Sequence, residues 1–426
     1  MPAVCQSVGA GSPTHSTSAA TAQVTGPSLD PAKALTQYTV DSWGEREGLP
    51  QNFVHSVVQS ADGYLWLGTA RGLARFDGTR FTVFDQRNTP AFETNWVKAL
   101  WADADGTIWI GMEGQGVIRY RNGEFISLEA NRDLASVRVN TLFRDADGVL
   151  WVGTEGGGVW WMDGDRFRGI DASDGLSDNT VHSITQDREG AIWVGTVAGL
   201  DRLSDGQIQS LGVEDGLPDD HIYKVVADPD GGLWIGTAAG GLARLDGEGI
   251  TTFGPEEGLT DPIVNALFQD RRGTVWIGTN GSGLFRLADG RITQLDTGGG
   301  LPSDLVWDIT EDREGNLWLG LAAVGLARLQ DGVFQTIGER EGLSSPIALA
   351  LLEDRGETLW VGTAGGGLNR IQNGAFTTFT SADGLAHDII LTLAQDEVGD
   401  IWMGAVAGGS AGSGATRFRP SPTPRD

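Results

Sequence analysis

The sequence predicts an all-β fold, a single β-propeller of four-stranded antiparallel blades, on three observations. The stretch Leu65-Trp66-Leu67-Gly68-Thr69 returns eight more times, and the tryptophans fall at Trp66, Trp109, Trp151, Trp193, Trp234, Trp276, Trp318, Trp360 and Trp402. Successive gaps are 43, 42, 42, 41, 42, 42, 42 and 42 residues, and a period in the low forties built from short apolar runs marks one blade per repeat. Glycine, at 64 of 426 residues, suits a chain that must turn every eight to twelve residues or so.

Repeat five shows how one blade reads. Asp220 to Asp228 is strand A, Gly232 to Thr237 strand B, Leu242 to Asp246 strand C and Ile250 to Phe253 strand D, each run bounded by Gly, Asp or Pro. Strand B is apolar on both faces, as a sheet sandwiched between two neighbours requires. Gly236 and its equivalents leave space beside a large indole. Burying nine tryptophans at roughly 1.5–3 kcal/mol each supplies tens of kcal/mol, so the ladder is core.

The two ends of the chain fit each other. Gln37 to Trp43, followed by Glu47-Gly48-Leu49-Pro50, matches a strand D with its loop, yet no strands A to C precede it. The last repeat has strands A to C and then breaks into Pro420-Ser421-Pro422-Thr423-Pro424. Pairing the two predicts nine blades, the ring closed by Gln37 to Trp43 completing the last blade and hiding two aggregation-prone edges. Nine exceeds the usual four to eight, so seven closed blades with two left over is the alternative count. The predicted organisation is a disordered tail at residues 1–36, a propeller at 37–419 and a Pro-rich tail at 420–426.

Charge and composition exclude several classes. Thirty basic against 57 acidic residues give a net charge of −27, which repels nucleic acid and anionic membranes. Only Lys33, Lys98 and Lys224 are lysines, and Cys5 is the single cysteine, so neither a lysine patch nor a cysteine-rich metal site is expected. No apolar run reaches the 18 or so residues of a membrane span, and no signal peptide is readable. Gly408-Gly409-Ser410-Ala411-Gly412 satisfies G-x-S-x-G without the following helix a nucleophile elbow needs. Asp103-Ala104-Asp105-Gly106 lacks the further acids of a calcium loop. Four of the five histidines fall near the start of a strand A in different blades, which predicts no metal site. No catalytic residue and no cofactor are assigned.

Aligned repeats separate a fixed frame from a variable face. An aspartate recurs in the A–B turn (Asp103, Asp145, Asp187, Asp228, Asp270, Asp312, Asp354, Asp396, with Ser60 the exception), and an arginine recurs in strand C from Arg75 to Arg417, with Trp161 the exception. An Asp–Arg pair joining blades by charge-assisted hydrogen bonds is the expected role. One column at the start of strand A varies instead: His55, Lys98, Asn140, His182, Tyr223, Asn265, Trp307, Leu349, Leu391. A second column, two residues earlier, includes Phe53, Trp96, Arg138 and His221. Polar and aromatic groups crowd blades one to five, and the D-to-A loops that enter at Trp96 and Arg138 depart from the common E/D-G-L form. A one-sided patch at a channel mouth is a default ligand site, and aromatic beside polar groups suits stacking on a sugar or another planar ligand. The candidate ligand-binding residues are therefore Phe53, His55, Trp96, Lys98, Arg138, Asn140, His182, His221 and Tyr223.

The repeat D-x-x-G-x-[LI]-W-[LIV]-G-T, followed by G-L-x-R and an E/D-G-L-P/S loop, resembles the two-component regulator propeller. The lead-in Leu29-Asp30-Pro31 to Tyr38 resembles the leader of members linked to diguanylate cyclases. That resemblance implies a periplasmic or extracellular, non-catalytic sensing module of a bacterial two-component or cyclic-di-GMP system. Its implied partners are a small-molecule or oligosaccharide ligand and a separate signalling protein, with a homodimer as one means of signalling. A propeller lyase or hydrolase, drawing on His55, His182, His221 and Tyr223, is the first rival function, and a protein-binding scaffold the second.

Overall fold

A computed structural model describes residues 28–134, 137–331, 337–339, 342–356, 358–372, 375–406 and 415–418. Cys5, the G-x-S-x-G run and the Pro-rich end lie outside the described residues. Strands joined by turns and short 3-10 segments make up the chain, which is the all-β architecture read from the repeats. It divides into two compact units, one holding Val40–Leu329 and the other Asp30–Thr39 with Gln330–Asp426.

The first unit is a closed ring of seven blades. In blade one, Val54–Gln59, Leu65–Thr69, Gly72–Phe76 and Phe81–Phe84 form strands A to D, hydrogen-bonded in that order. Blades two to six repeat this meander. Strand A lies innermost, and each A strand packs on the next, from Val54–Gln59 through Val97–Ala102 and onward to Val306–Glu311, which packs back on Val54–Gln59. The strand B glycines explain the fit. A Cβ on Gly68, Gly111, Gly153, Gly195, Gly236 or Gly278 would fall within 3.0 Å of the following blade's A strand, so only glycine permits that approach. The neighbouring tryptophan fills the space beyond: Trp193 packs with Ile222 and Val225, and Trp234 with Val264 and Leu267.

Ring closure differs from the nine-blade expectation. The N-terminal strand, Tyr38–Trp43, pairs with Leu326–Asp331 and completes blade seven, not blade nine. Three contacts that join neighbouring blades elsewhere recur at the seam between seven and one. Trp318 packs with Val54 and Val57. A Cβ on Gly320 would meet the Val54 carbonyl oxygen at 3.0 Å. The Arg313 guanidinium donates to the Ser60 carbonyl at 3.3 Å, as Arg271 does to the Asp312 carbonyl at 2.7 Å between blades six and seven. Every strand C offers the same backbone edge, so an orphan strand D fits any blade; packing of the A strands selects the seventh.

The second unit holds blade eight, with Ala348–Glu353, Leu359–Thr363, Leu368–Gln372 and Ala375–Phe379, and blade nine, with Ile390–Gln395, Ile401–Ala405 and Ala415–Phe418. Gly362 seats on Ile390 as its counterparts do in the ring. The chain before Tyr38 is partly ordered, contrary to the expected tail through residue 36. Leu29 and Leu35 are buried, the Tyr38 hydroxyl donates to the Asp30 carbonyl at 2.6 Å, and Lys33 Nζ pairs with Asp331 at 3.1 Å. Two buried leucines and an ion pair to Asp331, distant in sequence, hold this segment.

The recurrent aspartate has a partner other than the one expected. In blades two to four and six to nine its Oδ2 accepts the indole N–H of its own blade's tryptophan, as in Asp187–Trp193 at 2.7 Å, Asp312–Trp318 at 2.7 Å and Asp354–Trp360 at 2.8 Å, where Oδ1 accepts turn amides. The aspartate thus supplies the acceptor that a buried indole donor needs. The strand C arginine lies over the ring instead, with the guanidinium carbon 5.8 Å from the Trp193 centroid for Arg202 and 5.4 Å from that of Trp318 for Arg328, a cation–π arrangement. Direct Asp–Arg contact is strong in blade five, where Arg244 reaches Asp228 at 3.0 Å.

Candidate functional site at the channel mouth

Each A strand of the ring carries a β-bulge at the same point. Pairing shifts between Val54 and Ser56, Val97 and Ala99, Val139 and Thr141, Val181 and Ser183, Ile222 and Lys224, Val264 and Ala266, and Val306 and Asp308. The residues left over are His55, Lys98, Asn140, His182, Tyr223, Asn265 and Trp307. A bulge re-aims a side chain out of the ladder, and all seven of these line one cavity of about 440 Å³ in the channel. Leu349 and Leu391 occupy the same bulge positions in blades eight and nine, outside the ring and 41% and 52% exposed. The variable column is thus a set of seven channel residues and two others. Wider grooves between blades, such as that along Trp151, Trp161 and Ile192, take side chains from neighbouring blades only.

Of the nine candidate residues, His55, Lys98, Asn140, His182 and Tyr223 line the cavity. Phe53, Trp96 and His221 lie just before their A strands and Arg138 opens its own, each two residues ahead of the channel column, at the rim. They form two aromatic groups with a charged group between them. Phe53 lies 4.4 Å from His55 and 5.1 Å from Trp307, and His55 lies 6.1 Å from Trp96, centroid to centroid. On blades four and five, His182 and His221 stack at 5.3 Å with Nε2 atoms 3.2 Å apart, and Tyr223 lies 4.7 Å from His221. Between the groups, Arg138 pairs with Glu113 at 2.9 Å and Glu155 at 3.3 Å, and Lys98 Nζ reaches Glu155 at 3.4 Å.

Burial shapes the electrostatics. It lowers the pKa of both His55 and His182 to about 4, with the Lys98 ammonium acting on both and His221 also on His182. One ammonium therefore faces imidazoles of blades one and four. Deeper in the channel, burial raises Asp308 above the usual carboxylate range, although Lys224 lies 4.0 Å away and the Val57 amide donates to it at 2.8 Å. Two polar atoms of the lining, Asn140 Oδ1 and Trp307 Nε1, are buried without a partner in the protein. An acceptor and a donor thus stand ready beside stacking faces.

The two depressed histidines give a signed prediction. Their folded pKa lies below the ordinary 6.5, so the unfolded chain binds more protons between pH 6.5 and about 4. Stability from this source is complete above 6.5 and is lost as pH falls toward 4, by up to about 1.4 kcal/mol per pH unit per histidine. Denaturant unfolding at stepped pH should show this slope, and His182→Gln should flatten it. An unchanged slope in that variant would contradict the assignment.

Some of the site escapes sequence reasoning. The His182–His221 contact joins residues 39 positions apart, from different columns of adjacent blades. Glu113 follows its strand B and Glu155 ends its own, outside the A-strand columns. Lys224 and Asp308 are the charged members of a column otherwise small, Ser56, Ala99, Thr141, Ser183 and Ala266, and that contrast was the available signal. Trp307 stood in the variable column and belongs with the site. His387 is elsewhere, its Nδ1 accepting the Ile389 amide in the second unit. Among the described residues no group of three or more His, Cys, Asp or Glu is arranged to hold a metal ion.

A ring of four-stranded blades whose A strands all bulge into one channel is a repeat-built propeller. The family model described as "Two component regulator propeller" matches residues 48–71, 133–156, 175–198, 216–239, 258–281 and 300–322, all within the seven-bladed unit, and the chain belongs to that family. No curated protein matches it. Among solved structures it is similar to the extracellular domain of a proposed hybrid two-component system, BT3049 of B. thetaiotaomicron, with 23% identity and a TM-score of 0.72 over 90% of this chain and 53% of that one. It is also similar to the BT4673 extracellular domain of the same organism, with 22% identity and a TM-score of 0.57 over 87% and 51%. The chain thus spans about half the length of these domains. A virginiamycin B lyase of Staphylococcus aureus, in a catalytically inactive form with quinupristin, matches at 15% identity and a TM-score of 0.55 over 70% and 100%. These likenesses establish the fold. No helix among the described residues is long and apolar enough to cross a membrane.

Proposed function

We propose that the chain is a non-catalytic, ligand-sensing input module of a bacterial two-component or cyclic-di-GMP signalling system, acting outside the cytoplasm with a separate signalling protein. It binds a small molecule or oligosaccharide at the channel mouth. The observation that carries this reading is the convergence of seven bulged side chains on one cavity, with aromatic faces on both sides and the unpartnered Asn140 Oδ1 and Trp307 Nε1 inside. Pockets of this size suit one or two sugar rings, and family membership supports the sensing role.

A thermal-shift screen of the purified chain against mono- and oligosaccharides tests it. A ligand at a hundred times its Kd adds roughly 2.7 kcal/mol to stability, and Trp96→Ala, a change at an exposed rim residue, should remove most of the shift. No shift with any sugar, or an equal shift in the variant, would count against the site. One observation favours a second reading, a lyase: His182 and His221 touch at the mouth. That reading predicts turnover of a bound substrate, lost in His182→Ala while binding persists.

A further inference from the structure

Blade three departs from the way the ring covers its tryptophans. Strand C of every other ring blade carries an arginine, and in blades one, four, five and seven its guanidinium lies over the strand B indole. The guanidinium carbon is 5.7 Å from the ring centroid for Arg75 on Trp66, 5.3 Å for Arg244 on Trp234 and 5.4 Å for Arg328 on Trp318. Blade three has Trp161 at that position, paired across the strands with Trp151, the two ring centroids 5.5 Å apart at a tilt of 34°. Trp151 is only half-buried, whereas the six other strand B tryptophans of the ring are buried.

The exchange goes with a larger and differently charged groove. Three consecutive blade junctions have equivalent grooves, each between the strand B tryptophan of one blade and strands B and C of the next. The groove between blades two and three holds about 380 Å³ and that between four and five about 460 Å³, but the one between three and four holds about 840 Å³. Arg119, Arg121 and Arg144 line the first, and Arg188 and Arg202 line the groove between four and five. Asp174, Glu189 and Asp205 line the middle one, and among the described residues no basic side chain does. Arg168, opposite Trp161 on strand D, is paired with Asp163. Arg202 reaches Glu189 at 3.4 Å from the next junction and leaves that side chain 82% exposed.

We propose that the groove between blades three and four is a second binding site, for a small organic cation bearing a guanidinium or quaternary ammonium group. The neighbouring blades supply the chemistry, since an indole in this frame takes a guanidinium on its face, and here the chain puts a second indole where its own guanidinium belongs. Indole faces attract a cation through the ring quadrupole. Three carboxylates add charge attraction, and the field of a body of charge −27 raises the local concentration of cations. A neutral sugar gains nothing from those charges, and an anion is repelled by them. No residue of the groove lines the channel cavity, so the two sites stand or fall separately.

Calorimetric titration of the full chain at low salt with argininamide and with choline tests the proposal, with citrullinamide as the neutral counterpart. The expected result is saturable binding of at least one of the two cations and none of citrullinamide over the same range. Trp161→Arg restores the residue that the other repeats carry and should weaken binding by at least about tenfold, a loss of 1.4 kcal/mol. Asp205→Asn, at a left-handed position that asparagine also adopts, should weaken it several-fold. Glu256→Gln removes the same charge from an exposed position on a distant loop and should leave it unchanged. Unchanged melting of the free variants would establish that the blades are intact. No saturable heat from either cation at millimolar concentration, equal binding of citrullinamide, or wild-type affinity in Trp161→Arg would each overturn the proposal. Equal losses in Asp205→Asn and Glu256→Gln would also overturn it, in favour of attraction by net charge alone.

Discussion

Removing Tyr38–Trp43 is expected to destabilise the seven-bladed unit on the order of 5 kcal/mol, from lost burial and backbone hydrogen bonds together. The strand is a seam and not a decoration. Trp43 lies 5.2 Å from Phe76 of blade one and 5.4 Å from Trp318 of blade seven, so it fills the joint from both sides. Asp41 accepts from Arg328 at 2.6 Å. Deletion leaves a bare edge at Leu326–Asp331, which invites intermolecular pairing. A domain's whole stability is about 5–15 kcal/mol, so the truncated chain should melt roughly 8 °C lower and aggregate on warming. Calorimetry and light scattering on both chains measure this. An equally stable, monomeric truncation would refute closure through that strand.

The second large effect comes from filling the space between blades seven and one. In Gly320→Val the new Cβ meets the Val54 carbonyl at 3.0 Å and its Cγ1 at 3.2 Å, and two further methyl groups must then find room. Backbone cannot yield as a side-chain tip does, so the cost should reach or exceed about 3 kcal/mol. Gly404→Val is the matched control, because among the described residues its Cβ meets only Thr392, whose methyl, at 2.5 Å, can rotate away where the Val54 backbone cannot. Urea unfolding should rank Gly320→Val far below Gly404→Val. Equal costs would mean that Gly320 does not face a neighbouring blade.

The contrast between these two glycines also shows what the sequence could tell. Glycine recurs in strand B of every repeat, so the blade and its packing rule were legible from spacing alone. Which blade meets which was not, because a repeat that packs identically on any neighbour hides the point of closure. The tryptophan count gave nine blades; A-strand packing closes seven. The variable column was legible for the same reason the frame was: His55 to Trp307 stand out against fixed neighbours. Its drift to Leu349 and Leu391 read as one-sidedness of a larger ring, whereas those residues lie outside the ring altogether. The His182–His221 contact needed the angle between adjacent blades, which no linear spacing contains. The aspartate's true partner, the indole six residues later, was within reach, since a buried N–H demands an acceptor.

The most direct test of the account pairs a channel residue with its aligned counterpart outside the ring. Tyr223 and Leu391 occupy the same bulge in different blades, and only Tyr223 lines the cavity. A ligand found by the thermal-shift screen should be titrated calorimetrically into the wild type, Tyr223→Ala and Leu391→Ala. Affinity at least about tenfold weaker in Tyr223→Ala, a loss of 1.4 kcal/mol, with Leu391→Ala unchanged, is the predicted result. Wild-type affinity in Tyr223→Ala, or an equal loss in both, would contradict a ligand site at the mouth of a seven-bladed ring.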